Sequence, residues 1–251
     1  QLLPVRLHSG RVLTQREKQA FVIFSSETGF VVDQHSDLLF VYMNLLSKKY
    51  LIILSIVAVA CFFLYSALPF LSGGLFNSPD ENANFVFSKT FAETSTFKIP
   101  EPLNAEVNGI IAPRSMRGEG DSIIPTGFLG LPLFYGSIAK LVGADIVPFL
   151  TPFFAAVGLL FFYGLLRRIF EDRIAFVSTL LLAVHPSFWY YASRSMMHNI
   201  LFFVFLVAGL YFFTVPREEV KRRHYFFGGL FVAASLVVRS SEVFWVGFTL
   251  A

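Results

Sequence analysis

Long apolar stretches alternate with short polar segments along most of this chain. The first stretch, 50–71, contains no charged residue and is long enough to cross the ~30 Å hydrocarbon core of a bilayer as a helix. Lys48 and Lys49 stand directly before it, so the positive-inside rule predicts a cytoplasmic N-terminus. Because no small-residue cleavage site follows, we expect a membrane anchor rather than a cleaved signal peptide.

Four further apolar stretches continue this pattern, and a sixth begins near Val243. The predicted spans are 146–166, 174–191, 196–215 and 225–238. Basic residues follow two of these spans, at Arg167 and at 217–223, which places both clusters on the cytoplasmic side. Only helices or closed barrels satisfy backbone polar groups in lipid, so the pattern predicts an all-α polytopic membrane protein.

The segment 72–145 is predicted to be an outer loop that carries interfacial helices. Its apolar part, 128–142, contains Gly130, Pro132 and Gly136 and is short for a span. If it crossed the membrane, both basic clusters would move to the outer side, so the charge bias favours a helix lying along the outer surface. The stretch 84–97 mixes phenylalanine with polar residues, which suits a second interfacial helix.

The two ends of the chain carry weaker patterns. Residues 1–42 show no clear period and no motif, whereas Met43–Lys49 is typical of the start of a membrane protein. We therefore expect 1–42 to be upstream translated sequence or a poorly ordered cytoplasmic extension, the alternative being a small cytoplasmic element. The last apolar stretch ends at Ala251 within a predicted helix, so we expect 43–251 to be the N-terminal part of a larger module.

The composition agrees with a membrane protein and excludes several classes. Hydrophobic residues make up 55% and charged residues 15% of the chain, whereas soluble domains are about 25% charged. The net charge of +3 does not indicate nucleic-acid binding, because the basic residues cluster beside apolar stretches. The single cysteine, Cys61, allows no internal disulfide and no cysteine metal site. The sequence has no glycine-rich phosphate loop and no chain of acids inside the spans, which argues against a nucleotide-driven pump or a proton-coupled transporter.

A carboxylate pair, Asp80 and Glu81, follows the first span where the chain enters water. A carboxylate at the membrane surface can act as a general base toward a hydroxyl acceptor, or can bind a divalent cation through oxygen. The structural alternative is helix capping, with Ser78 as N-cap, Pro79 as the first helical residue and both acids in the first turn. The two interpretations are compatible, because a capped helix would hold Asp80 rigidly.

Further polar side chains on the predicted outer side are candidates for binding a ligand. Arg114 and Arg194 could bind a phosphate, with lipid-headgroup contact as the alternative for Arg114. Asn84 and Glu93 are candidates for binding a sugar or an acceptor, although any hydrated loop contains such residues. His198 is a candidate of the same kind, and its alternative is a polar boundary residue.

Arg239 ends the apolar stretch 225–238 and stands three residues before Glu242. An ionisable group at the end of a long apolar stretch is a functional candidate by default. The alternative is a self-satisfied ion pair that terminates a helix hairpin.

Six short motifs follow one another with a specific order and spacing. They are Pro79–Asn84, Phe91–Asn104, Pro132–Gly143, Leu165–Phe170, Pro186–Arg194 and Arg239–Glu242. In this arrangement the chain resembles the integral-membrane glycosyltransferases of the C fold, in particular the bacterial dolichyl-phosphate-mannose–protein mannosyltransferase-like and aminoarabinose-transferase-like group. The resemblance covers most of residues 43–251.

This resemblance implies an inverting enzyme of the bacterial plasma membrane that moves a sugar from a polyprenyl-phosphate donor to a hydroxyl acceptor at the outer face. The acceptor would be a protein, a lipid or a glycan. The resemblance also implies that Asp80 is the catalytic aspartate with Glu81 as the adjacent acid. Arg239 would bind the lipid phosphate, with Arg194 a weaker candidate. No cofactor is implied with certainty, and a divalent cation remains an option.

A non-catalytic membrane protein is the alternative from another class. It would be a transporter or flippase, or an assembly subunit of cell-envelope polysaccharide synthesis, and Asp80 and Glu81 would then only cap a helix. Another C-fold enzyme, such as an oligosaccharyltransferase, would need a metal and further acids in later loops, which this chain does not contain.

Overall fold

The structure is a computed structural model that describes residues 35–73, 76–216 and 221–250. The expectation for residues 1–42 lies mostly outside the described residues. The chain divides into two compact units, Gln1–Ile52 and Ile53–Ala251. Of the first unit, the structure describes a helical segment that begins at His35.

Helices form most of the described chain, which confirms the predicted helical class. The helices are α1 His35–Leu71, α2 Pro79–Thr94, α3 Leu103–Glu106, α4 Gly130–Val142, α5 Val147–Leu166, α6 Asp172–Val184, α7 Pro186–Ser193, α8 His198–Phe213, α9 Arg222–Val238 and α10 Val243–Leu250. Single 3₁₀ turns, Ala144–Ile146 and Ser240–Glu242, precede α5 and α10.

Two helical segments, Lys48–Leu71 and Ala144–Leu166, are long and apolar enough to cross a membrane by themselves. Two bent pairs reach that length together: α6 with α7, and α9 with the segment Ser240–Phe248. Helix α8 has 16 residues, about 24 Å of helix, which is shorter than the ~30 Å core and than the predicted span 196–215. The described residues therefore contain between two and four candidate spans, whereas the sequence predicted five.

The range from two to four arises at two bends in the chain. Helices α6 and α7 meet at 57°, at His185, which has an extended ψ of 128°. The residue before a proline is pushed out of helical conformation, and Pro186 follows His185. The second bend, of 116°, separates α9 from the segment Ser240–Phe248 and lies at Arg239, where φ is −141° and ψ is 85°.

A three-stranded antiparallel sheet in the outer loop is a feature that the sequence did not predict. Its strands are β1 Ile99–Pro100, β2 Met116–Glu119 and β3 Ser122–Pro125, in the order β1-β3-β2. Ile123 of the central strand β3 pairs with β1 on one side and with β2 on the other. Its side chain packs with Ala83 and Phe87 of α2. Strands of two to four residues are too short to show the alternation that predicts a strand.

Helix α8 lies in the centre of the second unit. Leu201 and Phe205 pack in one hydrophobic cluster, with residues of α4, α5 and α9. Ile200 and Val204 pack in another, with residues of α1, α5, α6 and α7. A Cβ placed on Gly209 would lie 3.1 Å from the carbonyl oxygen of Gly228, so small residues allow α8 and α9 to approach closely.

The helices α8 and α9 run antiparallel. Arg239, just after the end of α9, lies with its guanidinium 6.0 Å from the ring centre of Phe202 near the start of α8. At the other end, Gly228 faces the ring of Phe213. The two ends of this pair are therefore separate locations, each formed by the start of one helix and the end of the other.

Candidate functional site

Helix α2 begins with a capping box that gives its two acids different environments. The hydroxyl of Ser78 accepts a hydrogen bond from the backbone N–H of Asp80 at 3.3 Å. The carboxylate of Glu81 accepts one from the backbone N–H of Ser78 at 3.2 Å, and Pro79 is the first helical residue. The predicted capping role is confirmed, and its carboxylate comes from Glu81 rather than Asp80.

Asp80 lines a cavity of about 300 Å³. The other lining residues are Ala83, Asn84, Phe87, Ser115, Pro125, Gly127, Phe128, Met197, His198, Asn199 and Arg239. Four of the lining residues come from one face of α2, because the positions 80, 83, 84 and 87 recur at helical spacing. The remaining walls are the outer loop, the start of α8 and the residue after α9.

Ser115 contacts the carboxylate of Asp80 directly, because its hydroxyl donates a hydrogen bond to Asp80 Oδ1. The φ of Ser115 is +69°, in the left-handed region, where a residue with a side chain costs about 1–2 kcal/mol. The packing of Ile123 on α2 brings the sheet, and with it Ser115, to the start of the helix. Sequence reasoning missed Ser115, which is 35 positions from Asp80 and lies in no recognisable motif.

Glu81 does not line the cavity and forms a buried ion pair with Arg194. The Glu81 side chain is 4% exposed and that of Arg194 is 19% exposed. The hydrogen bond to Glu81 raises the pKa of the Arg194 guanidinium above its ordinary value. Arg194 also donates to the hydroxyl of Tyr190, so its guanidinium is bound within the protein and lies outside the cavity lining.

The segment between α7 and α8 is held by side chains from two other helices. Asn84 Nδ2 donates to the carbonyl oxygen of Met196 at 2.8 Å, and the hydroxyl of Thr151 donates to the carbonyl oxygen of Ser195. Together with the ion pair just described, these bonds fix the start of α8. His198, the first residue of α8, is thereby placed at the cavity.

His198 and Arg239 line the cavity from the start of α8 and from the position just after α9. His198 Nε2 lies 3.2 Å from the carbonyl oxygen of Phe128. Arg239 forms an ion pair with Glu242 at 2.7 Å, and 29% of its side chain remains exposed. The ion pair expected at a helix hairpin is therefore present, and the same arginine also lines the cavity.

Two predicted site residues lie outside the cavity lining. Glu93 forms an ion pair of 4.0 Å with Lys89 on α2, and its side chain is 60% exposed. Arg114 is exposed and directly precedes Ser115. The predicted site residues that the structure brings together at the cavity are Asp80, Asn84, His198 and Arg239.

The described ranges contain no group of three or more His, Cys, Asp or Glu side chains that could hold a metal ion. Asp80 is the acidic residue among those that line the cavity. Because Ca²⁺ and Mg²⁺ bind about six or more oxygens, a divalent cation at Asp80 would take most of its ligands from water and a bound anion. A cation there remains a prediction from the sequence.

Comparison with known proteins adds a second line of evidence to this geometry. Residues 130–250 match the model of the dolichyl-phosphate-mannose-protein mannosyltransferase family. The match confirms the resemblance expected from the sequence, and this family supports a membrane glycosyltransferase as the general class. The matched segment runs from α4 to α10 and includes His198 and Arg239, whereas Asp80 precedes it. No curated protein and no solved structure matches the chain.

Proposed function

We propose that this chain transfers a sugar from a polyprenyl-phosphate donor to a hydroxyl acceptor at the outer face of the membrane. The observation that carries the proposal is the cavity in which Asp80 and Arg239 face the same space. A carboxylate and a guanidinium are the two groups that this reaction needs, one for a proton and one for a phosphate. The family match supplies the reaction class.

Asp80 is proposed as the general base. Its carboxylate accepts the proton of the acceptor hydroxyl while the hydroxyl oxygen forms a bond to the anomeric carbon of the sugar. The bond from that carbon to the phosphate oxygen breaks in the same displacement, so the configuration inverts. The hydrogen bond from Ser115 holds the carboxylate in one orientation, which is what a positioned base requires.

Arg239 is proposed to bind the phosphate of the donor. Polyprenyl phosphate leaves as an anion, and a cationic donor placed at the developing charge lowers the barrier to its departure. A guanidinium has five N–H groups, so Arg239 can keep its contact with Glu242 and still present donors to the phosphate. Asn84 and His198, which also line the cavity, are proposed to contact the sugar.

Glu81 and Arg194 are assigned a positioning role in this proposal. Their ion pair connects the start of α2 to the segment before α8, and both parts contribute cavity walls. Glu93 and Arg114 lie outside the cavity lining. The contact of Arg114 with the donor phosphate and that of Glu93 with the sugar or acceptor stay predictions.

A transporter or an assembly subunit would explain the capping box but not the position of Asp80. Capping requires Ser78 and Glu81, whose side chains make the two capping hydrogen bonds. The carboxylate of Asp80 makes neither bond and lies in the cavity with His198 and Arg239. The alternative gives the carboxylate of Asp80 a structural hydrogen bond with Ser115, whereas the transferase also explains why it shares a cavity with Arg239.

The test is transfer of a labelled sugar from polyprenyl-phosphate donors in membranes that contain the protein expressed from its full gene. Asp80→Asn keeps the size of the side chain and removes the base, so we expect the rate to fall about 100- to 10,000-fold. Glu106→Gln is the matched control, since Glu106 is an exposed carboxylate of the same loop, and it should keep the wild-type rate.

Two outcomes would count against the proposal. A wild-type rate in Asp80→Asn would place the base elsewhere. If the wild-type protein transferred no sugar from any donor of a panel, the transporter or assembly-subunit function would be favoured instead.

A further inference from the structure

A second cavity, of about 420 Å³, lies between α5, α8 and α9. Its lining residues are Phe161, Phe212, Phe227, Phe231, Arg223 and His224. We propose that this cavity binds an anionic phospholipid, with an acyl chain against the phenylalanine rings and the phosphate at Arg223 and His224. The proposal requires that the helices lie in a membrane and is independent of the sugar-transfer reaction.

The second cavity lies at the opposite end of the α8–α9 pair from the Asp80 cavity. Helix α8 contributes His198 to one cavity and Phe212 to the other, a separation of about 21 Å along the helix. The chain from Arg223 to Arg239 gives a separation of about 24 Å. These distances approach the ~30 Å thickness of the hydrocarbon core, so the two cavities lie near opposite faces of the membrane.

The apolar wall of this cavity is a set of mutually packed rings. Phe212 and Phe231 are stacked, with centroids 5.8 Å apart and planes inclined by 3°. Phe227 lies 5.6 Å from Phe212, and Phe161 lies 6.3 Å from Phe231. Rings that hold one another in this way present a fixed apolar surface, which suits an acyl chain and offers no hydrogen-bond partner to a polar ligand.

The exposed face of α9 next to the cavity is itself apolar. Tyr225 is 61% exposed, Phe226 65% and Leu230 50%. A contiguous apolar surface of this kind on a helix of a membrane protein contacts lipid. A ligand that enters from this side is therefore a lipid rather than a solute from water.

Basic side chains stand at the rim of the same cavity. The described segment 221–224 contains Lys221, Arg222 and Arg223 and no acid, so it is net positive. Within the described part of the chain Arg223 has no ion-pair partner. His224 accepts the backbone N–H of Lys221 through Nδ1 at 3.2 Å, which leaves Nε2 for a ligand. Basic pockets between helices at a membrane surface bind anionic lipid headgroups.

The proposal is tested by native mass spectrometry of the full chain in detergent, with phosphatidylglycerol and phosphatidylcholine of identical acyl chains added at equal concentration. We expect the wild-type protein to retain phosphatidylglycerol preferentially. Arg223→Gln removes one rim charge and should lower the retained phosphatidylglycerol about fivefold. Arg222→Gln is the matched control, because Arg222 has the same charge, is adjacent in the chain and does not line the cavity; retention should stay within about twofold.

Glycerol phosphate separates a lipid site from a site for free phosphate compounds. It carries the anionic group without an acyl chain, so it should not displace phosphatidylglycerol. Displacement by glycerol phosphate would overturn the lipid proposal in favour of a soluble anion. If Arg222→Gln and Arg223→Gln lost retained phosphatidylglycerol equally, the binding would be non-specific electrostatic attraction and the assigned site would be overturned. Equal retention of the two lipids by the wild-type protein would also overturn it.

Discussion

The two cavities at the ends of the α8–α9 pair differ in how their polar side chains are held. In the Asp80 cavity, Asp80 accepts from Ser115 and Asn84 donates to Met196, so both side chains are bonded to other parts of the fold. At the second cavity, the hydrogen bond of the His224 side chain within the described residues is to the start of its own helix, and Arg223 is exposed. Side chains bonded as in the Asp80 cavity are typical of sites that hold groups in fixed geometry for a reaction. Exposed side chains such as those of the second cavity are typical of a surface that adapts to a lipid.

Of the changes that this comparison suggests, Arg239→Gln is expected to have the largest effect on the rate of sugar transfer. If Arg239 binds the departing phosphate, its loss should lower kcat for sugar transfer about 100-fold or more. Arg222→Gln, which removes a charge near the second cavity, should leave kcat unchanged. Steady-state transfer assays with the two variants make the measurement.

The ion pair between Arg239 and Glu242 provides a control for a purely structural effect. Glu242→Gln breaks the same ion pair and keeps the cation, so its kcat should stay within about tenfold of wild type. If Glu242→Gln and Arg239→Gln lost activity equally, the arginine would act through the helix turn and not through the phosphate.

Glu81→Gln is expected to have the largest effect on stability. Arg194 would keep its charge in a site where its side chain is 19% exposed, and removing one partner of a buried pair costs about 3 kcal/mol. Unfolding in detergent, followed by loss of helical circular dichroism, measures the change. Glu93→Gln, which breaks the exposed pair with Lys89, should cost less than about 1 kcal/mol.

A stability loss for Glu81→Gln no larger than that for Glu93→Gln would contradict the proposed positioning role. It would mean that the pair between α2 and Arg194 is dispensable for holding the cavity walls together. Asp80 would then have to be positioned by Ser115 and the cap alone.

The sequence was sufficient to predict the helical class and the cap, and it named four of the residues that line the Asp80 cavity. The start of α2 was predictable because Ser78 is an N-cap residue and Pro79 suits the first helical position. The spacing of Asp80 and Asn84 places them on one face of that helix. The sequence did not reveal which of the two adjacent acids faces the cavity, because both satisfy the same first-turn preference. That choice depends on Arg194, whose hydrogen bond with Glu81 spans 113 positions in the chain.

The features that were missed depend on contacts between distant parts of the chain. The sheet consists of strands of two to four residues, which carry no period of their own, and it forms because Ile123 packs on α2. The described residues contain two to four candidate spans rather than the predicted five for a related reason. Apolar composition does not set where a helix ends, and α8, with its 16 residues, is shorter than the predicted span 196–215.

Ser115→Ala gives the smallest of the predicted effects and tests how Asp80 is held. A hydrogen bond to a charged group contributes about 1.5–3 kcal/mol. Because this bond is exposed, we expect the lower bound, a fall in kcat of about tenfold. The KM for the donor should change little, because Ser115 is proposed to act on the base and not on the phosphate. Kinetic assays over a range of donor concentrations separate kcat from KM.

Ser115→Gly removes the same hydroxyl but relieves the left-handed backbone, since glycine adopts a φ of +69° without steric cost. We expect the two variants to lose kcat equally, while Ser115→Gly unfolds at a higher denaturant concentration than Ser115→Ala. If kcat followed stability instead, with Ser115→Gly close to wild type, the hydroxyl would be irrelevant to the base. The role of Ser115 would then be limited to the backbone turn that brings the sheet to α2.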